Sequence, residues 1–275
     1  MGRPGAEVLR MDRPENCTEE AGYLEFHEAH IYCVLHRAPD PIARVLLAGP
    51  FASERHYSYF PWVRWARYLA ARRMEALRFD YRGVGESTGR FEKMSFGAWR
   101  EDVEFLAGWL TSRSPRVPLI LQGIEMGSVL ARKAFTAGVG DALLLWGAPV
   151  NANEVLRRPL SRHAFKNLNQ RKSFSDYVRE LESDQSLEVE GYEWTSRLWQ
   201  ESFEFEEPPA RSDNAIASRD SGKPVRFVKL EGGPASLLKG SAMGYVMSHN
   251  LDLSDLFAES FDWIASALAT PLESQ

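Results

Sequence analysis

Cysteine is scarce in this chain: Cys17 and Cys33 are the only two in 275 residues. A small disulfide-stabilised scaffold needs several pairs, so that class is excluded, and we expect two free thiols in a reducing compartment. The first residues lack the apolar core of a signal peptide, and no apolar run is long enough to cross a bilayer. These absences predict a cytoplasmic protein with no membrane span.

Positive charge is limited as well. The chain has 33 Lys and Arg against 38 Asp and Glu, a net charge of −5, which does not indicate a nucleic-acid-binding protein. We expect neither a cofactor nor a metal. Apolar residues, in contrast, make up 44% of the chain, with eight Trp and fifteen Phe. That supply predicts one large α/β domain, or a domain with an insertion, and some aromatic side chains that line a pocket.

Strand-like and helix-like segments alternate along the first half of the chain. Alternating apolar positions over residues 23–36 predict an N-terminal hairpin. Four apolar segments typical of buried strands follow, at Ala43–Ala48, Met74–Phe79, 117–122 and Ala142–Trp146. Segments with helical spacing follow the first three, at 60–71, 96–111 and 128–137. This alternation predicts an α/β fold with a mostly parallel central sheet and helices on both faces.

The alternation stops at Pro149. The residues after it are mostly helical in pattern and rich in charge, which predicts a helical cap inserted into the α/β core. A loop-like stretch follows, and the pattern then predicts a last strand at 225–230 and a helix at 251–269. The expected units are a core at 20–150 and 225–270, a cap at 151–206 and a loop at 207–224.

A predicted strand-to-helix turn at residues 123–127 carries a carboxylate where a hydroxyl is usual. The apolar run before it and the helical pattern after it, with Gly123 and Gly127 around the turn, are typical of a nucleophile elbow. In the G-x-S-x-G form of this turn the central residue is Ser, and here it is Glu125. The sequence leaves three roles open for this side chain: covalent nucleophile, N-terminal helix cap, or partner in an ion pair.

The elbow and one other segment together resemble α/β hydrolases of the serine aminopeptidase-like branch. The other segment, at 78–89, reads RFDYRGVGESTG and is close to the branch's Phe-Asp-x-Arg-Gly-x-Gly-x-Ser pattern. Segments 49–55 (GPFASER) and 145–150 (LWGAPV) are similar to hydrolases associated with exosortase systems in bacterial exopolysaccharide clusters. The resemblance implies the α/β-hydrolase fold with a cap, a degenerate elbow and a link to exopolysaccharide biosynthesis.

The resemblance also implies positions for the rest of a catalytic site. Two backbone N–H groups would form the oxyanion hole, those of Met126 after the elbow and of Phe51 after an earlier strand. The family places its catalytic His after the last strand, where this chain has Ala235. His249, just before the final helix, is therefore the candidate base. His56, near the loop that contains Phe51, is an alternative group for contacting a substrate.

Two functions are open on these grounds. One is a repurposed or inactive hydrolase that binds a small molecule or a partner protein. The other is an active hydrolase of ester or acyl bonds in which Glu125 acts as nucleophile or base with help from His249. The basic stretch from Arg157 to Lys172 is either solvated cap surface or a pocket mouth that favours an anionic ligand. A base within hydrogen-bond reach of Glu125 favours the enzyme, whereas an ion pair favours the binding protein.

Overall fold

The computed structural model describes residues 19–149, 151–167, 169, 172–205, 222–230 and 252–269. The strands in these ranges are β1 (Glu19–Phe26), β2 (Ala29–His36), β3 (Ala43–Ala48), β4 (Met74–Phe79), β5 (Leu119–Ile124), β6 (Ala142–Trp146), β7 (Leu187–Val189), β8 (Tyr192–Trp194) and β9 (Val225–Val228). The helices are α1 (Arg55–Ala70), α2 (Phe96–Arg113), α3 (Met126–Thr136), α4 (Ala152–Lys166), α5 (Phe174–Glu182), α6 (Ser196–Glu204) and α7 (Ser254–Ala269). Single helical turns at Ala52–Glu54 and Phe91–Lys93 precede α1 and α2.

Seven of these strands form one sheet in the order β1-β2-β4-β3-β5-β6-β9. β2 pairs antiparallel with both β1 and β4, and the other neighbours pair in parallel. The predicted α/β class with a mostly parallel sheet and flanking helices is therefore confirmed. The chain moves from β3 outward to β4 and then crosses to β5. The carboxyl ends of β3 and β5 thus meet at a topological switch point, the place where ligands bind in open α/β sheets.

Helices cover both faces of the sheet. One core lies between the sheet and α2 and α3, and the second lies under α1 and α7. Side chains of β3 alternate between them, since Leu46 belongs to the first core whereas Val45 and Leu47 belong to the second. Burial on both faces explains why the central strands are apolar at nearly every position rather than at every second one.

Residues 151–205, which we call the cap segment, lie between β6 and β9 in the sequence. They contain α4, α5, α6 and a small antiparallel hairpin of β7 and β8. Trp194 and Trp199 of the cap segment are buried in the same core as α2 and α3. The helices agree with the predicted pattern, but the hairpin was not predicted, because strands of three residues are too short to show an alternating pattern.

The predicted element boundaries differ from the observed ones at several strand and helix ends. β1 begins at Glu19 rather than at 23, and β5 spans Leu119–Ile124 rather than 117–122. α1 begins at Arg55 rather than at position 60, and α3 begins at Met126 rather than at 128. β9 ends at Val228 rather than at 230. Helix starts depend on caps and tertiary contacts that a spacing pattern does not contain.

Cys33 is a buried free thiol, and Cys17 lies outside the described residues. Burial raises the pKa of the Cys33 thiol far above its usual range, so this sulfur stays protonated and unreactive. Within the described ranges, no helix is both long enough and apolar enough to cross a membrane.

Candidate active site

The turn between β5 and α3 has the backbone conformation of a nucleophile elbow. Glu125 separates the two elements and has φ 56° and ψ −124°. A positive φ is uncommon for a residue with a side chain. It costs about 1–3 kcal/mol and persists only where the surrounding structure holds it. The segment predicted at 123–127 is therefore a tight strand-to-helix turn with a carboxylate at its tip, and its assignment as a nucleophile elbow stays a prediction.

Close packing around the turn explains its two glycines. A Cβ at Gly127 would lie 2.0 Å from the carbonyl oxygen of Ala48, at the end of β3. A Cβ at Gly123 would lie 2.4 Å from Cα of Ser128. Both distances are far shorter than the roughly 3.5 Å at which nonbonded heavy atoms attract each other. Only glycine fits at these positions, and the elbow is pressed against the end of β3.

The Glu125 carboxylate is held by an arginine of the cap segment. Nη1 of Arg158, in α4, donates to Oε1 at 2.9 Å and to Oε2 at 2.8 Å. The Glu125 side chain is 2% exposed and that of Arg158 is 31% exposed. Glu125 makes no side-chain capping hydrogen bond to α3. Of the three roles that the sequence left open, the described contacts correspond to the ion pair.

Burial raises the pKa of Glu125 to about 7. Arg158 opposes this rise through its charge and its hydrogen bonds, whereas the nearby carboxylates of Glu54 and Glu154 add to it. Removing the carboxylate from water therefore outweighs the attraction of the partly exposed guanidinium. Glu125 consequently changes its charge near neutral pH, which an ordinary exposed carboxyl does not do.

The backbone groups that the resemblance implies for an oxyanion hole lie at the same edge of the sheet. Phe51 belongs to the loop at 49–54, which we call the oxyanion loop, and Met126 is the first residue of α3. β3 and β5 are adjacent, with Ala48 paired to Gly123, so the two groups follow neighbouring strand ends. N–H groups in the first turn of a helix have no partner within that helix, so the Met126 N–H has no acceptor in α3.

The Phe51 ring fixes the oxyanion loop against the core and the cap segment. It is completely buried and meets Trp99 and Trp194 edge-on, with ring centroids 5.7 and 5.6 Å apart. Trp99 belongs to α2 and Trp194 to β8, so one side chain joins the loop to both layers. Edge-to-face aromatic contacts of this kind stabilise beyond their buried area.

A row of cations on α4 meets three buried or half-buried carboxylates. Arg158, Arg162 and Lys166 lie four residues apart and therefore share one face of the helix. Arg162 bonds to Glu54 of the oxyanion loop, and its Nε and Nη2 each lie 2.9 Å from Glu190 between β7 and β8. Nζ of Lys166 lies 3.6 Å from Oε1 of Glu190. Much of the basic stretch is thus used inside the protein, rather than being only solvated surface.

Glu190 and Glu54 differ from Glu125 in their electrostatics. Ser53 Oγ donates to Oε2 of Glu190 at 2.6 Å. Burial raises the pKa of Glu190, but hydrogen bonds from Arg162 and Ser53 outweigh it and lower the value to about 2. Glu54 keeps a buried Oε2 with no hydrogen-bond partner among the described residues. Glu190 is therefore charged at any ordinary pH, whereas Glu125 changes its charge near neutral pH.

The predicted base is not placed by the part of the chain that the structure describes. His249 and Ala235 lie outside it, and so does the side chain of His56. Their assignments stay predictions. Ser128, which follows the elbow, has a buried hydroxyl without a hydrogen-bond partner among the described residues.

The segment at 78–89 supplies two ion pairs that brace the sheet edge. Nε and Nη2 of Arg55 donate to the two oxygens of Asp80 at 2.6 and 2.7 Å. Nε of Arg82 bonds to Asp102, and the backbone N–H of Arg82 donates to the same carboxylate at 3.0 Å. Burial raises the pKa of Asp102 to about 6 against the opposing effect of Arg82. Asp80 and Arg82 thus hold the loop after β4 in place.

An open cleft lies on the β4 side of the oxyanion loop, away from the elbow on β5. It is open to solvent, and Glu125 does not line it. Among its lining residues are Arg55, Tyr59, Trp62, Arg78, Asp80 and Tyr81. We call it the β4 cleft. The abundance of aromatic residues predicted a pocket of this character but did not indicate its position.

Sequence reasoning missed two arginines of this region. Arg158 was considered only as part of a basic stretch, although its four-residue spacing from Arg162 was a signal that both face the same way. Arg78 stands at the start of the segment at 78–89, but no role was considered for it. Its signal was a charged residue in a strand whose other charged residue, Glu75, is paired with Arg44.

Comparisons with known proteins agree with this architecture. The family model described as serine aminopeptidase, S33, matches residues 62–186, which include α1 to α5 in part or whole. No curated protein matches the chain by sequence.

Solved structures are similar in fold at low identity. The mouse alpha/beta hydrolase domain-containing protein 10 is 16% identical, with 90% of this chain and 98% of that protein covered and a TM-score of 0.54. A soluble variant of monoglyceride lipase from Saccharomyces cerevisiae is 16% identical over 70% of each chain, with a TM-score of 0.49. An α/β serine hydrolase without a lid from Xanthomonas campestris is 19% identical, with a TM-score of 0.43. There the match covers 50% of this chain and only 65% of the other protein. At 16% identity, the match to the mouse protein shows a shared fold and does not transfer an activity.

Proposed function

We propose that this chain, which has the α/β-hydrolase fold, is a repurposed hydrolase that binds a small molecule. In this proposal Glu125 anchors the cap segment through Arg158 instead of attacking a substrate. The observation that carries the proposal is the contact of one guanidinium nitrogen with both oxygens of the elbow carboxylate.

The ion pair disfavours nucleophilic attack by Glu125. An attacking carboxylate must present one oxygen to the substrate, but both oxygens accept from Arg158 and the side chain is 2% exposed. Separating a buried charge pair leaves a charge without compensation, which typically costs about 3–5 kcal/mol, and less where one partner is partly exposed. Each 1.4 kcal/mol added to a barrier slows a reaction about tenfold.

The length of the side chain adds to this argument. Related hydrolases that use a carboxylate nucleophile carry Asp at the elbow, and Glu is longer by one methylene group. Misplacement of a reacting group by on the order of 1 Å costs about a hundredfold in rate. A longer side chain is suited, on the other hand, to reach a cation in the layer above the sheet.

The biological setting of the proposal is exopolysaccharide biosynthesis. It is supported by the resemblance of segments 49–55 and 145–150 to exosortase-associated hydrolases. The basic stretch of the cap segment contributes less to an anionic ligand than its composition suggests, because Arg158 and Arg162 are committed to carboxylates of this chain. A ligand preference for negative charge would need cations elsewhere.

Hydrolysis of ester or acyl bonds by Glu125 is the second candidate function. It is favoured by the strained elbow conformation and by the pKa of Glu125 near 7, the range of a general base that works at neutral pH. The N–H groups of Phe51 and Met126 would stabilise the oxyanion. In this mechanism Arg158 releases the carboxylate, and His249 assists.

Ester hydrolysis by matched variants tests the proposal. The wild type, Glu125→Gln and Glu125→Ser are offered p-nitrophenyl acetate, butyrate and octanoate, with folding followed by circular dichroism. The control is Glu193→Gln, which changes an exposed glutamate of β8. We expect all four proteins to release p-nitrophenol at the background rate, because the elbow carboxylate is occupied by Arg158 in the wild type and the control and is absent from the other two.

Turnover in the wild type and Glu193→Gln that is absent in Glu125→Gln would overturn the anchoring role. Styrene oxide then distinguishes nucleophile from base. Attack by a Glu125 oxygen on an epoxide carbon forms an ester bond. The epoxide opens to an alkoxide, which takes up a proton. The elbow peptide then gains the mass of the epoxide. Base catalysis by Glu125 activates water instead and leaves the peptide mass unchanged.

A further inference from the structure

We propose that the β4 cleft binds a small organic carboxylate with an aromatic body, and that Arg78 holds its carboxylate. This inference rests on the proposed binding function, because it names the site and the ligand class. It does not involve Glu125 or the elbow. The cleft opens beside β4, whereas the elbow follows β5 on the other side of β3.

Arg78 is the cation of the cleft that makes no direct ion pair with a described residue. Arg55 also lines the cleft, but its Nε and Nη2 are bonded to the two oxygens of Asp80, so those charges cancel. Glu19 lies near enough to interact with Arg78 and accepts a hydrogen bond from Arg67. Among the described residues, no carboxylate lies within ion-pair distance of Arg78.

Neutral groups hold the Arg78 guanidinium in place. Its Nε donates to Nε2 of His36 at 3.0 Å, and its central carbon lies 5.3 Å from the centre of the Tyr59 ring. Burial, with the charge of Arg78, lowers the pKa of His36 to about 4, so the imidazole is neutral at pH 7 and accepts this bond. With Nε used, the two Nη groups are left as a pair of donors whose spacing matches a carboxylate.

The rest of the lining is suited to a planar apolar group. Four aromatic residues contribute to it, Tyr59, Trp62, Phe79 and Tyr81. The Tyr81 hydroxyl donates to the carbonyl of Gly49 at 3.1 Å, and the Ser58 hydroxyl donates to the carbonyl of Glu54 at 3.1 Å. These hydroxyl protons are thus committed within the protein. Pockets with aromatic walls and one fixed polar group orient small ligands through that group.

A phosphate group fits this arrangement less well than a carboxylate. A phosphate dianion is usually met by more than one cation or by several backbone donors. Arg55 is the only other cation among the lining residues that the structure describes, and its charge is neutralised by Asp80. One guanidinium with two parallel donors matches the charge and the geometry of a single carboxylate.

Calorimetric titration with four small probes tests the site in the wild-type protein. Phenylacetate has the charge and the ring, phenylacetamide lacks the charge, acetate lacks the ring, and inorganic phosphate replaces the carboxylate. We expect phenylacetate to bind at least about tenfold more tightly than each of the others. A charge-assisted bidentate contact typically accounts for a factor of about ten or more.

Two arginine variants locate the binding. Arg78→Met keeps the apolar stem and removes the charge, and we expect it to weaken phenylacetate binding about tenfold or more. Arg78→Lys keeps the charge without the paired donors, and its affinity for phenylacetate is expected to lie between those of Arg78→Met and the wild type. The matched control, Arg116→Met, changes an exposed arginine outside the cleft and leaves the affinity unchanged. Circular dichroism shows whether each variant is folded.

Several outcomes overturn the inference. These are equal binding of phenylacetamide and phenylacetate, tighter binding of phosphate, no detectable phenylacetate binding, or unchanged affinity in folded Arg78→Met. The probe comparison uses only the wild type, so it tests the inference even if a variant fails to fold. The ester assay on Glu125→Gln reports on the elbow alone. Ester turnover that depends on Glu125 overturns the proposed function. A titration without the expected phenylacetate binding overturns the assignment of the β4 cleft as a carboxylate site.

Discussion

The charged side chains on the two sides of the oxyanion loop differ in whether they have ionic partners. On the β5 side, Glu125 and Glu54 are each 2% exposed, and both are paired with arginines of α4. On the β4 side, an open cleft contains Arg78, which has no carboxylate partner among the described residues. Both carboxylates on the elbow side are buried and paired, while the cleft contains a cation without a carboxylate partner among the described residues. In this chain the elbow is a feature of the fold, and the cation without a carboxylate partner indicates the charge of the candidate ligand.

The contrast follows from the cost of burying charge. A buried carboxylate is stable only with a cation and hydrogen bonds around it, or in its protonated form. The cap segment supplies such cations to the elbow side, which ties the cap to the core. A half-buried guanidinium at an open cleft stays in contact with water and needs no ionic partner to be tolerated. Four predictions test this difference, and they are ordered by the size of the expected effect.

The largest effect is expected for Gly127→Ala, which would force the elbow away from β3. The new Cβ would lie 2.0 Å from a backbone oxygen that cannot move aside easily. We expect a loss of about 4 kcal/mol or more in the free energy of unfolding, measured by urea denaturation. The matched control is Gly108→Ala in α2, where an added Cβ meets nothing within 4 Å. It should stabilise by about 0.5–1 kcal/mol. Equal effects of the two substitutions would contradict the tight elbow.

The second effect is the pH dependence that Glu125 gives to stability. Its pKa is about 7 in the folded protein, above its ordinary value of 4.5, so the folded state binds the proton more tightly than the unfolded one. This stabilising contribution is complete below pH 4.5 and is lost as the pH rises through 7. Compared with Glu125→Gln, the wild type should lose on the order of 3 kcal/mol between pH 4.5 and 8. Urea denaturation of both proteins across this range measures it, and parallel curves would contradict the raised pKa.

The third effect is loss of the cation that meets Glu125. Arg158→Met leaves a buried carboxylate unpaired, and we expect a loss of about 2 kcal/mol at pH 8, since Arg158 is partly exposed. The loss should shrink at pH 5.5, where Glu125 is mostly protonated. The control is Arg157→Met, an exposed neighbour that packs over the ring of Phe174. An effect of Arg158→Met that does not change with pH would mean that the charge of Glu125 is not involved.

The smallest effect is expected on the other side of the loop. Arg78→Met removes a cation with no ionic partner among the described residues and leaves Nε2 of His36 without its donor. We expect a loss of about 1 kcal/mol or less in the free energy of unfolding. Urea denaturation at pH 7.5, beside Arg158→Met, measures the contrast directly. A larger loss for Arg78→Met than for Arg158→Met would reverse the proposed difference between the two sides.

Much of the fold was predictable because its central strands are buried on both faces. The predicted limits of β3, β4 and β6 coincide with the observed ones, since an apolar run between polar turns shows where a fully buried strand begins and ends. The elbow was predictable for a related reason. Gly123 and Gly127 are both required by backbone contacts, so their spacing in the sequence records the turn itself.

Other features were hidden because their causes lie far away in the sequence. α1 begins earlier than its apolar spacing indicates, at Arg55, whose side chain pairs with Asp80 after the next strand. The hairpin of β7 and β8 brings Glu190 to Arg162, but its short strands leave no periodic signal. Arg78 gave a signal, a charge inside a strand, but its meaning depends on the cleft around it.

The sequence by itself determined that a parallel α/β sheet forms, that a strand-to-helix elbow follows β5, and that Glu125 stands at its tip. These are local properties, set by apolar runs and by glycines that backbone contacts require. Only the tertiary structure decided that the carboxylate meets Arg158, which lies 33 residues away, while the adjacent, exposed Arg157 packs over the ring of Phe174. A buried charge pairs with the cation that packing brings within hydrogen-bond distance, and that distance is a property of the folded layers rather than of any sequence spacing.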